Sequence, residues 1–121
     1  MPLYLKIVSP KVWAYGDYTN SASYDLEMKI YSDPQLTSTV DLTTFTTLTL
    51  LFKDPNNGYD LYSTTTGLTS DSSGNLYWRP TQSTVYSGYG HVKVCLTCEN
   101  STTRMTAVGT LDSNDLLIRR K

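Results

Sequence analysis

Cys95-Leu96-Thr97-Cys98 is the stretch of this chain whose residue types come nearest to a reactive or metal-binding motif. A structural zinc centre needs four ligands, usually two such pairs or a pair plus histidines at matched spacing. The chain has two cysteines in all and one histidine, His91, four residues before the first of them. Redox chemistry needs the cysteines at a helix start, where the thiolate is stabilised. Here the flanking residues alternate as a strand does: Val92, Val94, Leu96 and Cys98 on one face, His91, Lys93, Cys95 and Thr97 on the other. Residues three apart on a strand face opposite sides about 10 Å apart, too far for a disulfide. The expectation is two structural thiols and no metal.

The other candidates for chemistry are weaker. His91 has no recognisable nucleophile beside it, so it reads as a solvent-facing strand residue and not a general base. The two glutamates, Glu27 and Glu99, show no acid/base spacing. Asp54, Asn56, Gly58 and Asp60 stand at alternate positions like a calcium loop, but the glycine is misplaced and the distal bidentate glutamate is missing. Pro55 and Asn57-Gly58 instead specify a hairpin turn. Asn100-Ser101-Thr102 matches a glycosylation sequon, and without a signal peptide it reads as a turn. Catalytic, metal and cofactor sites are therefore expected to be none.

The elements around these residues are strands. Leu3, Leu5 and Ile7 alternate with Tyr4, Lys6 and Val8, and Leu26, Met28 and Ile30 with Asp25, Glu27 and Lys29; Leu48, Leu50 and Phe52, with Leu51 on the other face, and then Leu76 and Trp78 mark two more strands. Tyr59 to Thr65, Thr103 to Val108 and Leu116 to Ile118 complete the series; Gly67 to Gly74 reads as a polar bend anchored by Leu68. The Thr103–Val108 strand should pair antiparallel with the strand that ends at Cys98. Threonine and serine make up roughly a quarter of the chain, a composition that favours strands over helices. A chain of 121 residues suits one domain, 1–121. The expected fold is all-β, an immunoglobulin-like β-sandwich of seven to eight antiparallel strands, with Trp78, Val92, Val94 and Leu96 in its core.

Ten tyrosines against two phenylalanines suit surfaces that are partly wet. Between roughly residues 10 and 22 the chain lacks strict alternation and carries Trp13, Tyr15 and Tyr18, which is the expectation for an extended N-terminal arm. Exposed rings of this kind anchor protein interfaces, so these three are the candidate interface residues. The net charge of −1 with no basic stripe points away from nucleic acid. The closing Arg119-Arg120-Lys121 reads as a solvated tail. MPLYLKIVSP has no apolar run of signal-peptide length, and no stretch could span a bilayer as a helix.

From Ser23 to about residue 119 the order of landmarks is specific: SYDLEMKIY, Val40-Asp41-Leu42-Thr43, TLTLLFKDPNNG, Gly74-Asn75-Leu76-Tyr77-Trp78, then Gly88-Tyr89 and a long strand. This resembles the immunoglobulin-like domain at the N-terminus of phage upper baseplate proteins. The departure is at the last landmark, where Tyr89 follows Gly88 directly. The resemblance implies a non-enzymatic structural protein of a tailed bacteriophage virion, made in the host cytoplasm. It would serve as a capsid decoration or cement protein, a neck component, or a baseplate or tail adaptor. Its partners would be other virion proteins in a symmetric multi-copy assembly, with no nucleic acid and no membrane. The alternative from another class is a carbohydrate-binding or host-surface adhesion module, with Trp13, Tyr59, Tyr62 and Tyr86 as stacking rings.

Overall fold

The structure is a computed structural model, which describes residues 3–9, 12–14, 26–79 and 90–119. Its strands in chain order are β1 (Leu3–Ser9), β2 (Val12–Ala14), β3 (Leu26–Tyr31), β4 (Thr47–Lys53), β5 (Asp60–Thr64), β6 (Leu68–Ser70), β7 (Asn75–Trp78), β8 (Gly90–Glu99), β9 (Arg104–Val108) and β10 (Asp115–Arg119). One turn of 3-10 helix, Leu42–Thr44, is capped by the Asp41 carboxylate, which accepts from Thr43 N–H. The protein is all-β.

All ten strands belong to one hydrogen-bonded sheet, and β8 is its hub. Along one edge β8 pairs with β4 over its whole length, from Thr47 opposite Glu99 to Lys53 opposite Lys93. Along its other edge two strands share it: β10 takes Gly90 to Lys93, and β9 takes Leu96 to Glu99. From β9 the path continues through β1, β3 and β7 to β6, while β5 closes the far side of β4. The two ends of this path, β5 and β6, are consecutive in the chain, separated by residues 65–67.

The sheet therefore curls until its ends approach, and side chains show the closure directly. Phe52 on β4 meets Trp78 on β7 edge to face at 5.5 Å, and the Tyr62 ring on β5 lies 6.1 Å from Trp78. Strands that are not ladder neighbours thus share one core. It holds Leu3, Leu5 and Ile7 from β1 and Leu26, Met28 and Ile30 from β3, together with Val92, Val94, Leu96 and Cys98 from β8. Trp78, Val94 and Leu96 are wholly buried and Val92 nearly so. Inward residues alternate with outward ones along β1, β3 and β7, which is why a period of two in the sequence marks the core.

Where β9 and β10 part company along β8, the Val94 backbone has no strand opposite it on that edge. Asn114 fills the gap: Val94 N–H donates to the Asn114 carbonyl (2.9 Å), and Asn114 Nδ2 donates to the Val94 carbonyl (3.0 Å). Buried backbone polar groups need such partners. Ser113, beside it, ties the same loop to β1. Its hydroxyl donates to the Leu5 carbonyl (2.8 Å) and its carbonyl accepts from Ile7 N–H (2.8 Å). Gly109 leaves room for this wedge, since a Cβ there would sit 1.8 Å from Asn114 Oδ1.

Four features correct the reading of the sequence. Leu68–Ser70 is a strand and not a bend, because β7 supplies its ladder from Leu68 opposite Trp78 to Ser70 opposite Leu76. Val12–Ala14, expected in an irregular arm, pairs parallel with β10 as an edge strand. Among the described residues the strands number ten and not seven or eight. Nor are they all antiparallel, since β1 also runs parallel to β9, with Leu3 opposite Ala107. Each of these pairings joins residues too far apart in sequence, or too few, for local periodicity to signal. The expected pairing of β8 with β9 is present and antiparallel.

Candidate functional site

A groove of about 660 Å3 opens where the β4–β5 turn stands over the start of β8. Asp54, Pro55 and Asn56 from the turn and Leu61 from β5 form one wall. His91, Val92 and Lys93 from β8, with Asp115 from β10, form the other. The turn is built by its own side chains. Asp54 accepts from Asn56 N–H through its carboxylate (2.8 Å) and from Gly58 N–H through its carbonyl (2.8 Å). Asn57 accepts from Tyr59 N–H (2.9 Å). These bonds are those of a hairpin, with the carboxylate committed to the backbone, and Asp60 is used elsewhere.

Asp60 belongs to a row of charges that crosses four strands. The register places Asp60 opposite Lys53, Lys53 opposite Lys93, and Lys93 opposite Asp115. Two lysines facing each other repel, and each is neutralised from its outer side. Lys53 Nζ lies 2.9 Å from Asp60, Lys93 is paired with Asp115, and Asp112 is 3.9 Å from Lys93. Partly exposed pairs of this kind contribute about 0–1 kcal/mol each. Their main effect is on position, since the pair with Asp115 holds the Lys93 head at the groove instead of letting it sweep through solvent.

The ladder of β4 and β5 slips between Phe52 and Lys53, so Leu61 is the extra residue of a bulge. A bulge re-aims a side chain; Leu61 turns to the groove and is 44 % exposed. Tyr59 on the same turn is 72 % exposed. His91 is exposed, on the outward face of β8 beside Lys93. The groove thus sets Leu61 and Pro55 among groups of both charge signs. This suits recognition of another surface. Among the described residues no group of three or more His, Cys, Asp or Glu could hold a metal ion.

The cysteines lie on opposite faces of β8, both buried and both free. Burial pushes the Cys98 thiol up to about 12, from an ordinary 9.0. Burial also raises Cys95, opposed in part by the nearby Lys53 charge. Thiolates are the reactive form, so neither sulfur is set up as a nucleophile. A thiol whose pKa is raised in the fold keeps its proton while the unfolded chain loses it. Stability is therefore intact below pH 9 and falls as pH rises from there toward 12. Three carboxylates shift the other way. Hydrogen bonds from Thr37 and Ser38 lower Asp33, those from Thr43 lower Asp41, and those from Asn75 lower Asp71. Their contribution is present above the ordinary 3.8 and is lost as the pH falls through the lowered values. The alkaline arm is testable. Urea unfolding from pH 8 to 11 should show a steady loss of stability in the native chain and a clearly smaller loss in Cys98→Ala. Equal slopes would mean that the buried thiol titrates like a free one.

Of the residues singled out in the sequence, Trp13 falls within β2 by its backbone, and Tyr15, Tyr18 and Tyr86 lie outside the described residues. Tyr62 is half-buried, its ring packed on Phe52 and Trp78, while Tyr59 projects into solvent. The groove was missed in the sequence because its walls come from three separate segments. The available signal was Leu61, an apolar residue in a polar stretch after a strong turn. Comparison with family models, with curated proteins and with solved structures finds no match to this chain.

Proposed function

We propose that this chain is a non-enzymatic structural protein of a tailed bacteriophage virion, an immunoglobulin-like β-sandwich module that works by docking onto other virion proteins. The observation that carries the docking part is the exposed apolar set on a rigid frame. Tyr59, Leu61, Val108 and Leu111 stand 72, 44, 40 and 95 % exposed. Apolar and aromatic anchors ringed by polar residues are what protein interfaces use. The virion assignment is supported by the order of strand and turn landmarks from Ser23 onward. Weak contacts of this kind become firm attachment when many copies bind one symmetric particle.

The experiment is a paired one. The variant Trp13→Ser/Tyr15→Ser/Tyr18→Ser and the variant Tyr59→Ser/Leu61→Ser are each melted in isolation. Each is then measured for occupancy on particles lacking the native protein. Normal melting with lost occupancy in either variant is the expected result. Normal occupancy in both would sink the docking reading for these surfaces. A second reading has one specific support. Tyr59 is an open ring on the turn that also carries Asp54 and Asn56, and aromatic faces with nearby polar groups suit sugars. Binding of the pure chain to a glycan array, abolished by Tyr59→Ser, would favour it.

A further inference from the structure

Asparagine is one of the thermolabile residue types, because the next backbone nitrogen can attack its side-chain amide. The chain has asparagine at six positions, and Asn57 is the one followed by glycine. A side chain on the following residue screens the attacking nitrogen, and Gly58 has none. Both residues are exposed on the β4–β5 turn. No atom outside the adjoining residues lies within 4 Å of where a Gly58 Cβ would be, so the attack meets no wall.

The turn also prepares the amide. Asn57 Oδ1 accepts from Tyr59 N–H at 2.9 Å. The ring that this bond closes contains both the Asn57 side-chain carbon and the Gly58 nitrogen. The same donor faces the oxygen on which negative charge gathers as the nitrogen adds, and such donors stabilise additions to a carbonyl. One bond opposes the reaction: Gly58 N–H donates to the Asp54 carbonyl (2.8 Å) and must leave it. It is a single bond in an exposed turn, the kind that opens locally while the sheet stays intact. The other described asparagines are placed less well. Asn75 is followed by the wholly buried Leu76, and its Nδ2 donates to Asp71 (2.9 Å). Asn114 is buried with its Nδ2 on the Val94 carbonyl. Asn100 accepts from Thr102 and Thr103 N–H in the β8–β9 turn, and Ser101 follows it.

We propose that Asn57 is a site of self-modification, at which the Gly58 nitrogen closes on the Asn57 side-chain carbon and converts the residue to isoaspartate or aspartate. The Gly58 amide gives its proton to solvent and its nitrogen bonds to Cγ. The Cγ–Nδ2 bond breaks, ammonia leaves with a proton from solvent, and a cyclic imide remains. Water then opens the imide. Breaking the new bond to Cγ gives aspartate; breaking the original peptide bond gives isoaspartate, with the backbone rerouted through Cγ. Water is the co-reactant and nothing is oxidised or reduced. Either product adds one negative charge to a chain whose net charge is −1. The isoaspartate also lengthens the chain between Asp54 and Tyr59. That shifts both bonds that close the turn, Gly58 N–H to the Asp54 carbonyl and Asp54 N–H to the Tyr59 carbonyl. One wall of the groove therefore changes with the age of the molecule. The proposal is independent of the docking function, because the reaction belongs to the free chain.

The test uses hydroxylamine, which captures such an imide and breaks the chain there. The folded chain is incubated with it at mildly alkaline pH, beside the same chain unfolded in urea, with circular dichroism as the check on folding. Both samples should give two fragments, residues 1–57 and 58–121. Without hydroxylamine, peptide mapping of the folded chain should find isoaspartate at position 57 ahead of any at position 100. Asn57→Gln, whose longer side chain closes a larger ring, should melt as the native chain does and lose most of the cleavage. A folded chain that stays intact while the urea sample is cut overturns the proposal, since the turn would then protect Asn57. Cleavage of folded Asn57→Gln at the native rate overturns it as well, because the break would lie elsewhere.

Discussion

Trp78→Ala is expected to weaken the fold by about 3–5 kcal/mol, the range for removing a large buried aromatic side chain. The ring is wholly buried and is the piece that joins the two ends of the curled sheet, with Phe52 at 5.5 Å and Tyr62 at 6.1 Å. The cavity left behind would lie between β7 and the β4–β5 pair, which shares no ladder with it, so backbone hydrogen bonds cannot hold its walls together. Trp78→Phe should recover part of the loss, because a smaller ring still reaches toward Phe52. Chemical denaturation monitored by circular dichroism measures both variants. A Trp78→Ala change near zero would mean that the sheet's ends are held by something other than this cluster.

The second large effect is expected at Gly74, where β7 begins. Its φ of +83° is left-handed, and an added Cβ would lie 2.7 Å from the Ile30 carbonyl oxygen and 3.2 Å from that of Val40. Those atoms cannot retreat, because Ile30 N–H donates to the Gly74 carbonyl and Val40 N–H donates to the Ile30 carbonyl. Gly74→Ala combines a conformational cost of about 1–2 kcal/mol with overpacking of about 1–3 kcal/mol, for a total of roughly 2–5 kcal/mol. Gly58→Ala is the built-in control. It has nearly the same φ, +74°, and open space where the Cβ would go, so only the conformational part applies. Equal losses in the two variants, by the same denaturation measurement, would show that the crowding at Ile30 is relieved by a backbone shift.

Much of the sheet was legible because burial on one face writes itself into the chain. Leu26, Met28 and Ile30, or Val92, Val94 and Leu96, announce both the strand and its inward side. What remained hidden was pairing. Leu68-Thr69-Ser70 has one apolar residue and becomes a strand through its neighbour. Val12–Ala14 joins β10 across a hundred residues of chain. The row of charges was hidden for the same reason: the Lys53–Asp60 hairpin, Lys93 and Asp115 come from three separate segments and become a row only through three ladders. The local turn at Asp54–Gly58 was readable, because proline and Asn-Gly act on their own backbone. The bulge at Leu61 was not, since register is a property of two strands.

The parallel pairing of β1 with β9 also bears on how the protein is made. Leu3 meets Ala107, so the first strand leaves the ribosome 107 − 3 = 104 residues before its partner. At ordinary elongation rates that is about 5–20 seconds. During that time β1 can pair with β3 alone, and its other edge offers unpaired N–H and C=O groups to any extended chain nearby. Lys6, exposed in the middle of β1, is the type of residue that discourages such pairing. The hub strand β8 arrives late as well. The period in which nascent chains can stick to one another is therefore set by translation speed over the central segment, and slower decoding there would lengthen it.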